Sequence, residues 1–360
     1  MFPSRIVTIY MAKLFLTRSF GVLAVLVIIL QALDLLSETD NILAHPGNGQ
    51  ADVLRYVSLR LPQLIQRFLP FSVLLGTLIT FLTLNQNGEV VALKAAGLSA
   101  HQVLAPFIAA SLLIAAGSFA FNERVVTRAS ATLDRWQSVE FGALPTGREG
   151  QTNVWVRAGD DLIHADVVMG RGEALRLTRV SVYERNGGSL QSITTAATGR
   201  ATATGLELSD ATRFDVANGR RTTAGTARVA QDIAPAQFDL SSVDPAGLPY
   251  DRLSSAIAAL KVAGRPTAAL EANLWHKFSG PMSTVLMPLL GAVAAFGLAR
   301  SGKLFVRAVT GMALGFAYFV ADNFGLAMGN LGAYSPLLAA WGPFFLFLFI
   351  GEAVLLRTEE

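Results

Sequence analysis

Gly297, Gly302 and Lys303 have the spacing of a phosphate-binding loop, in which backbone amides and a lysine hold nucleotide phosphates. In that motif the residue after the lysine is Ser or Thr and reaches Mg²⁺, but here it is Leu304. No strand pattern precedes the segment either. These residues favour a basic turn between two apolar segments, and we expect this chain to bind neither ATP nor Mg²⁺ itself.

Metal and catalytic chemistry find little support among the other side chains. The chain contains no cysteine, which excludes thiol nucleophiles, disulfides and Cys-based metal sites. No Gly-x-Ser-x-Gly or His-Glu-x-x-His motif occurs. The histidines are scattered and form no close His/Glu pair at metal-ligand spacing. They are His45, His101, His164 and His276. We therefore expect no metal site and no catalytic residue.

Asp322 is the main ionisable residue well inside an apolar segment. A carboxylate at membrane depth is costly, so such residues are usually paired inside a helix bundle or have a function. Two interpretations stay open. Asp322 either belongs to a structural pair or a helix-end anchor, or it lines a path that crosses the membrane.

A short polar segment between two apolar runs predicts a helix at 87–97. Asn87 suits an N-cap, Glu89 suits the first turn, and Gly97 suits the C-terminal stop. A helix of about two turns is marginal by itself in water. It is therefore either a surface connector or a helix that docks into a groove on another protein. The other residues assigned to this helix are Val90, Leu93 and Lys94.

The elements that must position these residues are six long apolar runs, each long enough for a transmembrane helix of ~20 residues. Hydrophobic residues make up 52% of the chain and charged residues 15%, with a mean hydropathy of +0.45, which is unlike a soluble protein. The net charge of +3 and the lack of a basic tract argue against nucleic-acid binding. The runs lie at Leu14–Leu36, Tyr56–Leu84, His101–Phe121, Leu274–Leu298, Leu304–Met328 and Leu337–Leu356.

Basic residues near the ends of these runs predict the orientation, because cytoplasmic loops carry the excess of Lys and Arg. With the N-terminus inside, eight basic residues fall on the cytoplasmic side, while the short loops on the other side contain only Arg55. The eight are Arg5, Lys13, Arg18, Lys94, Arg300, Lys303, Arg307 and Arg357. Both chain ends are then cytoplasmic, and the long polar insert lies outside the cytoplasm.

The insert, between the third and fourth runs, changes to a period of two. Segments such as 153–157 and 175–177 alternate, and Gly/Asn/Asp clusters such as 159–161 and 218–220 separate them, which is typical of antiparallel strands and hairpins. These strand-like segments recur about every ten residues, which suggests a sandwich, jelly roll or barrel. A short amphipathic helix follows at Ser254–Val262, closed by Gly264 and Pro266.

The predicted fold class is therefore a polytopic α-helical membrane protein with six transmembrane helices, three before and three after an inserted all-β, jellyroll-like domain. The predicted domains are 1–136, with helices one to three and the short cytoplasmic helix; 137–245, the β domain; and 246–360, with the connector helix and helices four to six.

Together with this layout, several segments resemble a known family. They are Phe68–Gly76, Glu89–Gly97, Trp275–Lys277, Arg307–Gly311 and Gly315–Asp322. They are similar to the permeases of the bacterial lipopolysaccharide export ABC transporter, and in particular to its G-type permease.

The resemblance implies an inner-membrane permease that extracts lipopolysaccharide and passes it to a periplasmic bridge protein. It also implies an F-type permease partner, a single-span partner with a periplasmic domain, and a cytoplasmic ATPase dimer that binds the ATP and Mg²⁺. By the same resemblance Glu89 is the coupling carboxylate that pairs with a basic residue of the ATPase, on a coupling helix with Val90, Leu93, Lys94 and Gly97.

Within this interpretation, three further groups of residues are expected to act on the lipid. The apolar cavity wall is assigned to Phe68, Phe71, Leu75, Phe316 and Phe319. Candidate headgroup cations are Arg60, Arg67 and Lys277. Gly311 and Gly315 are expected to let the fifth helix approach the partner permease closely at a lateral gate. One departure from the family is the acid-rich segment Asp34–Asn41, where G-type permeases often carry lysines.

Two alternatives remain at this stage. The first is a membrane-anchored envelope sensor or scaffold whose β domain binds a ligand, but no substantial cytoplasmic output domain is evident in the chain. The second is an intramembrane enzyme, which requires a constellation of polar residues at depth. The absence of an ATP-binding motif together with a capped cytoplasmic helix favours a transport permease.

Overall fold

The computed structural model describes residues 3–142, 151–158, 160–170, 175–187, 189–202, 205–229, 244–262, 266–296 and 304–357. The phosphate-loop-like segment 297–303, with Arg300 and Lys303, lies outside these residues, as do Gly159 and Gly264.

The chain divides into two compact units. The first comprises Met1–Asp40, Gly49–Ala131 and Pro245–Glu360, and the second comprises Asn41–Asn48 and Thr132–Asp244. This differs from the predicted domains chiefly in assigning Asn41–Asn48 to the unit of the insert. One contact within this unit is a hydrogen bond from the Asn48 side chain to the Phe141 carbonyl at 2.8 Å.

The helices of the chain follow the predicted apolar runs. They are α1 (Arg5–Ala44), α2 (Gln50–Gln86), α3 (Glu89–Ala95), α4 (Ala100–Phe121), a π-helical segment (Asn122–Val126), α5 (Thr127–Gln137), α6 (Tyr250–Val262), α7 (Ala268–Phe296), α8 (Leu304–Asn330) and α9 (Pro336–Arg357). Among the described residues, five stretches are long and apolar enough to cross a membrane: Arg5–Ala44, Gln50–Gln86, Ala100–Gln137, Val309–Asn330 and Pro336–Arg357. A polytopic helical membrane protein is confirmed.

The remaining predicted run forms α7, which lies at the centre of the first unit and packs against α2, α4, α8 and α9. This helix carries polar side chains that are buried in the bundle. They include Lys277, Ser279, Ser283 and Thr284. Polar residues in membrane helices usually face the bundle interior, so the core position of α7 accounts for its composition.

Helix α1 is held to α2 by a close backbone approach at Gly76. A Cβ at this position would lie 2.6 Å from the Cα and 2.7 Å from the backbone nitrogen of Ser19. Phe15 of α1 packs into the same bundle, because its ring lies 5.2 Å from the ring of Phe107 on α4. The Phe107 ring in turn stacks on Phe81 of α2 at 4.7 Å. Much of α1 nevertheless remains uncovered, with Ile28 68% exposed.

The insert forms a six-stranded antiparallel sheet, which confirms an inserted β domain. Its strands are β1 (Gln151–Ala158), β2 (Asp161–Met169), β3 (Arg176–Asn186), β4 (Ser189–Thr202), β5 (Gly205–Asp215) and β6 (Arg221–Val229). Each strand pairs with its sequence neighbour, so the described strands form a meander, without the crossing connections that define a jelly roll. Val156, Ile163 and Val182 occupy one cross-strand row and are fully buried.

Helix α6 begins four residues before the predicted connector helix, at Tyr250, and is tied to the start of α7. Lys261 of α6 lies 3.1 Å from the Glu271 carboxylate, and the Thr267 hydroxyl donates a short hydrogen bond to the same carboxylate. The hydrogen bond from Thr267, followed by the interactions with Lys261, lowers the pKa of Glu271 below its ordinary value.

Candidate functional site

The first unit contains a cavity of about 600 Å³, lined mainly by α2, α7 and α8. Four of the five predicted wall residues line it: Phe68, Phe71, Phe316 and Phe319. Leu75 packs against the hydrophobic core of the unit instead. The helices therefore bring aromatic side chains of α2 and α8 to one cavity, which suits an apolar ligand.

The three predicted headgroup cations have different surroundings. Arg67 is exposed and lines the cavity, and it has no ion pair within the described part of the chain. Arg60 and Lys277 are both engaged by carboxylates of this chain. Of the three, Arg67 is thus the cation that remains available to an anionic group.

Arg60 belongs to a hydrogen-bonded network that links α1 to α2. Its Nη2 lies 3.0 Å from Asp34 Oδ1, and the Tyr56 hydroxyl donates to the other oxygen of Asp34 at 2.6 Å. Arg60 Nη1 donates to Gln63 at 2.8 Å. The acid at the end of the first run therefore holds a cation of the same chain, which explains part of the acid-rich segment, while the assignment of Arg60 to a lipid headgroup stays a prediction.

Lys277 is part of a buried ion pair rather than a free cation. Its Nζ lies 3.1 Å from Glu123 Oε1, and the two side chains are only 7% and 17% exposed. The second oxygen of Glu123 accepts a hydrogen bond from the Tyr250 backbone amide at 2.6 Å. Glu123 stands in the π-helical segment, a distortion that often marks a functional position. Sequence reasoning missed it, since an acid just beyond an apolar run resembles an ordinary helix end.

Asp322 has a partner on the neighbouring helix. His276 Nε2 lies 3.0 Å from Asp322 Oδ2, with the side chains 27% and 14% exposed. Both residues also line the cavity. The two interpretations of Asp322 from the sequence are therefore compatible, because the pair is internal and borders the cavity at the same time. His276 is the second functional candidate that the sequence did not reveal.

Gly315 also lies on the cavity, and its missing side chain makes room for α2. A Cβ at Gly315 would lie 2.0 Å from the Cδ2 atom of Leu74, which is fully buried. The close approach expected between this helix and a partner permease is thus used at Gly315 for packing within the chain. Gly311 is buried on the same helix, so the two glycines do not form an exposed contact face.

The short helix α3 is closed by a Schellman motif. The Leu98 amide donates to the Leu93 carbonyl at 3.2 Å and the Gly97 amide to the Lys94 carbonyl at 2.9 Å, while Gly97 takes the left-handed conformation with φ +86°. The N-cap is Gly88, not Asn87. The Asn87 side chain instead donates to Glu89 Oε1 at 3.0 Å.

Helix α3 has a buried face and an exposed face. Val90 is 4% exposed and belongs to the core of the unit, and Leu93 packs against that core. Both side chains therefore anchor α3 on its own bundle, and the assignment of Val90 and Leu93 to the coupling with an ATPase stays a prediction. The exposed face carries Val91, which is 68% exposed, and Glu89 accepts a 3.3 Å hydrogen bond from Tyr10 of α1.

Comparison with known proteins assigns this architecture to a family. The family model described as "Lipopolysaccharide export system permease LptF/LptG" matches residues 9–357. The chain belongs to the LptF/LptG permease family. Its relatives include the lipopolysaccharide export system permease protein LptG of Escherichia coli K12, 27% identical over 330 residues, or 88% of this chain and 89% of the relative. The LptG protein of Haemophilus influenzae Rd is 23% identical over 292 residues, or 77% and 78%.

Membership of the LptF/LptG family confirms the resemblance noted in the sequence, since the matched region includes the helices on both sides of the insert and the insert itself. It also identifies the chain as a multi-pass transport subunit. The cavity and α3 are both built from helices within the matched region.

Proposed function

We propose that this chain is the G-type permease subunit of an ABC transporter that extracts lipopolysaccharide from the inner membrane and passes it to a periplasmic bridge protein. The family and the names of its relatives support this function. The observation that carries it in this chain is the cavity, where aromatic side chains of α2 and α8 stand beside Arg67. Burying acyl chains against such a wall contributes ~25 cal/mol to the binding free energy for each Å² of apolar surface removed from water. Arg67 is placed to attract an anionic headgroup.

The proposal includes the partners implied by the family resemblance. They are an F-type permease, a cytoplasmic ATPase dimer that holds ATP and Mg²⁺, a single-span protein with a periplasmic domain, and the soluble bridge protein. The uncovered apolar surface of α1 supports a second membrane subunit or lipid against this helix, since Ile28 and Leu36 are 68% and 77% exposed.

We also propose the orientation that the basic residues predict, with both chain ends and α3 in the cytoplasm and the β domain in the periplasm. In this orientation, the exposed side of α3 faces the ATPase. Val91 offers an apolar contact there, and Glu89 offers a carboxylate whose Oε1 is already held by two hydrogen bonds from this chain.

A photo-crosslinking experiment tests the proposed cavity. A photo-reactive amino acid at Phe316 or Phe319, which line the cavity, should capture lipopolysaccharide when the complex is assembled in cells. Phe324 is the matched control, because it lies on the same helix, is 55% exposed and is not a cavity residue. Equal capture at all three positions would mean that the lipid only touches the outside of α8, and no capture at Phe316 and Phe319 would refute the cavity as the lipid site.

A further inference from the structure

Two residues that line the cavity each have a buried polar atom without a hydrogen-bond partner within 3.5 Å in the described part of the chain. These atoms are the hydroxyl oxygen of Tyr318 and Oδ1 of Asp322. Tyr318 is 3% exposed, and both residues line the cavity. They stand four positions apart on α8, so they share one face of the helix. An unpaired buried polar group destabilises the protein that contains it, and two such groups beside one cavity indicate that a ligand completes them.

Three other polar side chains of the cavity are already engaged. Lys277 is held by Glu123 at 3.1 Å, the Asn273 amide donates to Asn330 at 2.8 Å, and the Asn323 amide donates to the Phe319 carbonyl of its own helix at 2.7 Å. Among the cavity residues, Tyr318 and Asp322 are therefore the ones whose buried polar atoms have no assigned partner in the described part of the chain.

The pairing with His276 orients this site. Because His276 contacts Oδ2 of Asp322 at 3.0 Å, the carboxylate is fixed and its Oδ1 remains as an acceptor. Gly280 lies one turn further along α7. A Cβ built at Gly280 would lie 3.4 Å from Cε1 of His276, which is an ordinary van der Waals contact with the imidazole. The site thus presents a fixed carboxylate oxygen and a phenolic hydroxyl, which together suit a ligand that donates a hydrogen bond.

We infer that Asp322 and Tyr318 bind the hydroxyl or ammonium donor group of a phosphate-bearing lipid headgroup. This inference rests on the proposed lipid-binding function of the cavity. Arg67, the exposed cation that lines the same cavity, takes the phosphate, and the donor group reaches the acceptor at Asp322. The cavity thereby prefers lipids that carry both groups over lipids that carry a phosphate alone.

Native mass spectrometry of the full-length chain, purified with the subunits that accompany it, tests this preference. Three lipids are titrated separately: lipopolysaccharide, phosphatidylethanolamine, which has N–H donors beside its phosphate, and phosphatidylcholine, whose quaternary ammonium has none. A charge-assisted hydrogen bond is stronger than a neutral one, so Asp322→Asn should raise the Kd of the donor-bearing lipids about tenfold. Tyr318→Phe should raise it about threefold, and neither variant should change the Kd of phosphatidylcholine.

Thr310→Val is the matched control, since this hydroxyl of the same helix donates to the Val306 carbonyl at 2.9 Å and is not a cavity residue, so the Kd should stay within about twofold. A loss of affinity for lipopolysaccharide alone assigns the donor to the exported lipid, and a loss for phosphatidylethanolamine alone assigns it to bulk phospholipid; both outcomes support the inference. Unchanged affinities in Asp322→Asn and Tyr318→Phe would overturn it, as would an equal loss for phosphatidylcholine.

The same titration separates this inference from the proposed function. If the wild-type chain binds phosphatidylethanolamine through Asp322 and does not bind lipopolysaccharide, the export function fails while the donor site stands. If the wild-type chain and Asp322→Asn bind lipopolysaccharide equally well, the donor site fails while the export function stands. Thermal unfolding of each variant shows that the affinity is measured on folded protein.

Discussion

Removing Lys277 should destabilise the protein strongly, because its partner Glu123 would be left buried without a counter-charge. The two side chains are 7% and 17% exposed and their charged atoms are 3.1 Å apart. Breaking a buried pair from one side costs ~3–5 kcal/mol, so Lys277→Met should lower the free energy of unfolding by that amount. The remaining hydrogen bond to Glu123, from the Tyr250 amide, does not replace a full positive charge.

The measurement is unfolding of the purified chain in detergent, followed as a double-mutant cycle with Glu123→Gln. Because glutamine carries no charge, the double variant should be more stable than Lys277→Met alone, with a coupling energy of ~1–3 kcal/mol for a pair in direct contact. Lys261→Met is the matched control. Lys261 has the same 3.1 Å distance to its partner but is 58% exposed, and exposed pairs contribute only ~0–1 kcal/mol.

Two results would refute this reasoning. If Lys277→Met costs no more than Lys261→Met, burial does not determine the strength of the pair. If Lys277→Met keeps its stability but loses affinity for lipopolysaccharide, Lys277 is a headgroup ligand, as the sequence alone suggested, and its contact with Glu123 is incidental.

Three further predictions follow from other contacts. Gly76→Ala should destabilise the bundle by ~1–3 kcal/mol through overpacking, which outweighs a helix-propensity gain of about 1 kcal/mol. The control Gly21→Ala, in open space on α1, should be neutral or stabilising, so equal unfolding temperatures for the two variants would contradict the overpacking at Gly76. Val91→Glu and Glu89→Ala should each reduce co-purification of the ATPase or uncouple its activity from export, without impairing membrane insertion. Normal co-purification and normal coupling in both variants would exclude α3 as the coupling element. The folded pKa of Glu271 is lowered, so its contribution to stability is complete above the unfolded value of 4.5 and is lost as the pH falls through the lower folded value. Wild-type protein should therefore exceed Glu271→Gln in unfolding temperature at neutral pH and converge with it in acid; a constant difference would remove the carboxylate as the cause.

Local features of this protein were predictable because they depend on residues close together in the chain. The helix stop at Gly97 arises from hydrogen bonds that span at most five residues, and only a residue that tolerates positive φ fits there. The spanning helices follow from the length and hydropathy that a bilayer requires. The strands of the insert follow from alternation of period two, which places Val154 and Val156 on one buried face.

The partners of individual side chains were decided by the tertiary structure. Lys277 meets Glu123 across 154 positions, and His276 meets Asp322 across 46. Both pairings depend on how α7 is rotated against its neighbours. Apolar residues cover the lipid-facing and the core-facing sides of a membrane helix alike, so the sequence pattern does not report this rotation. For the same reason the sequence named Gly315 as a close-packing residue but could not place it against Leu74, and it identified α3 but not that Val90 faces inward and Val91 outward.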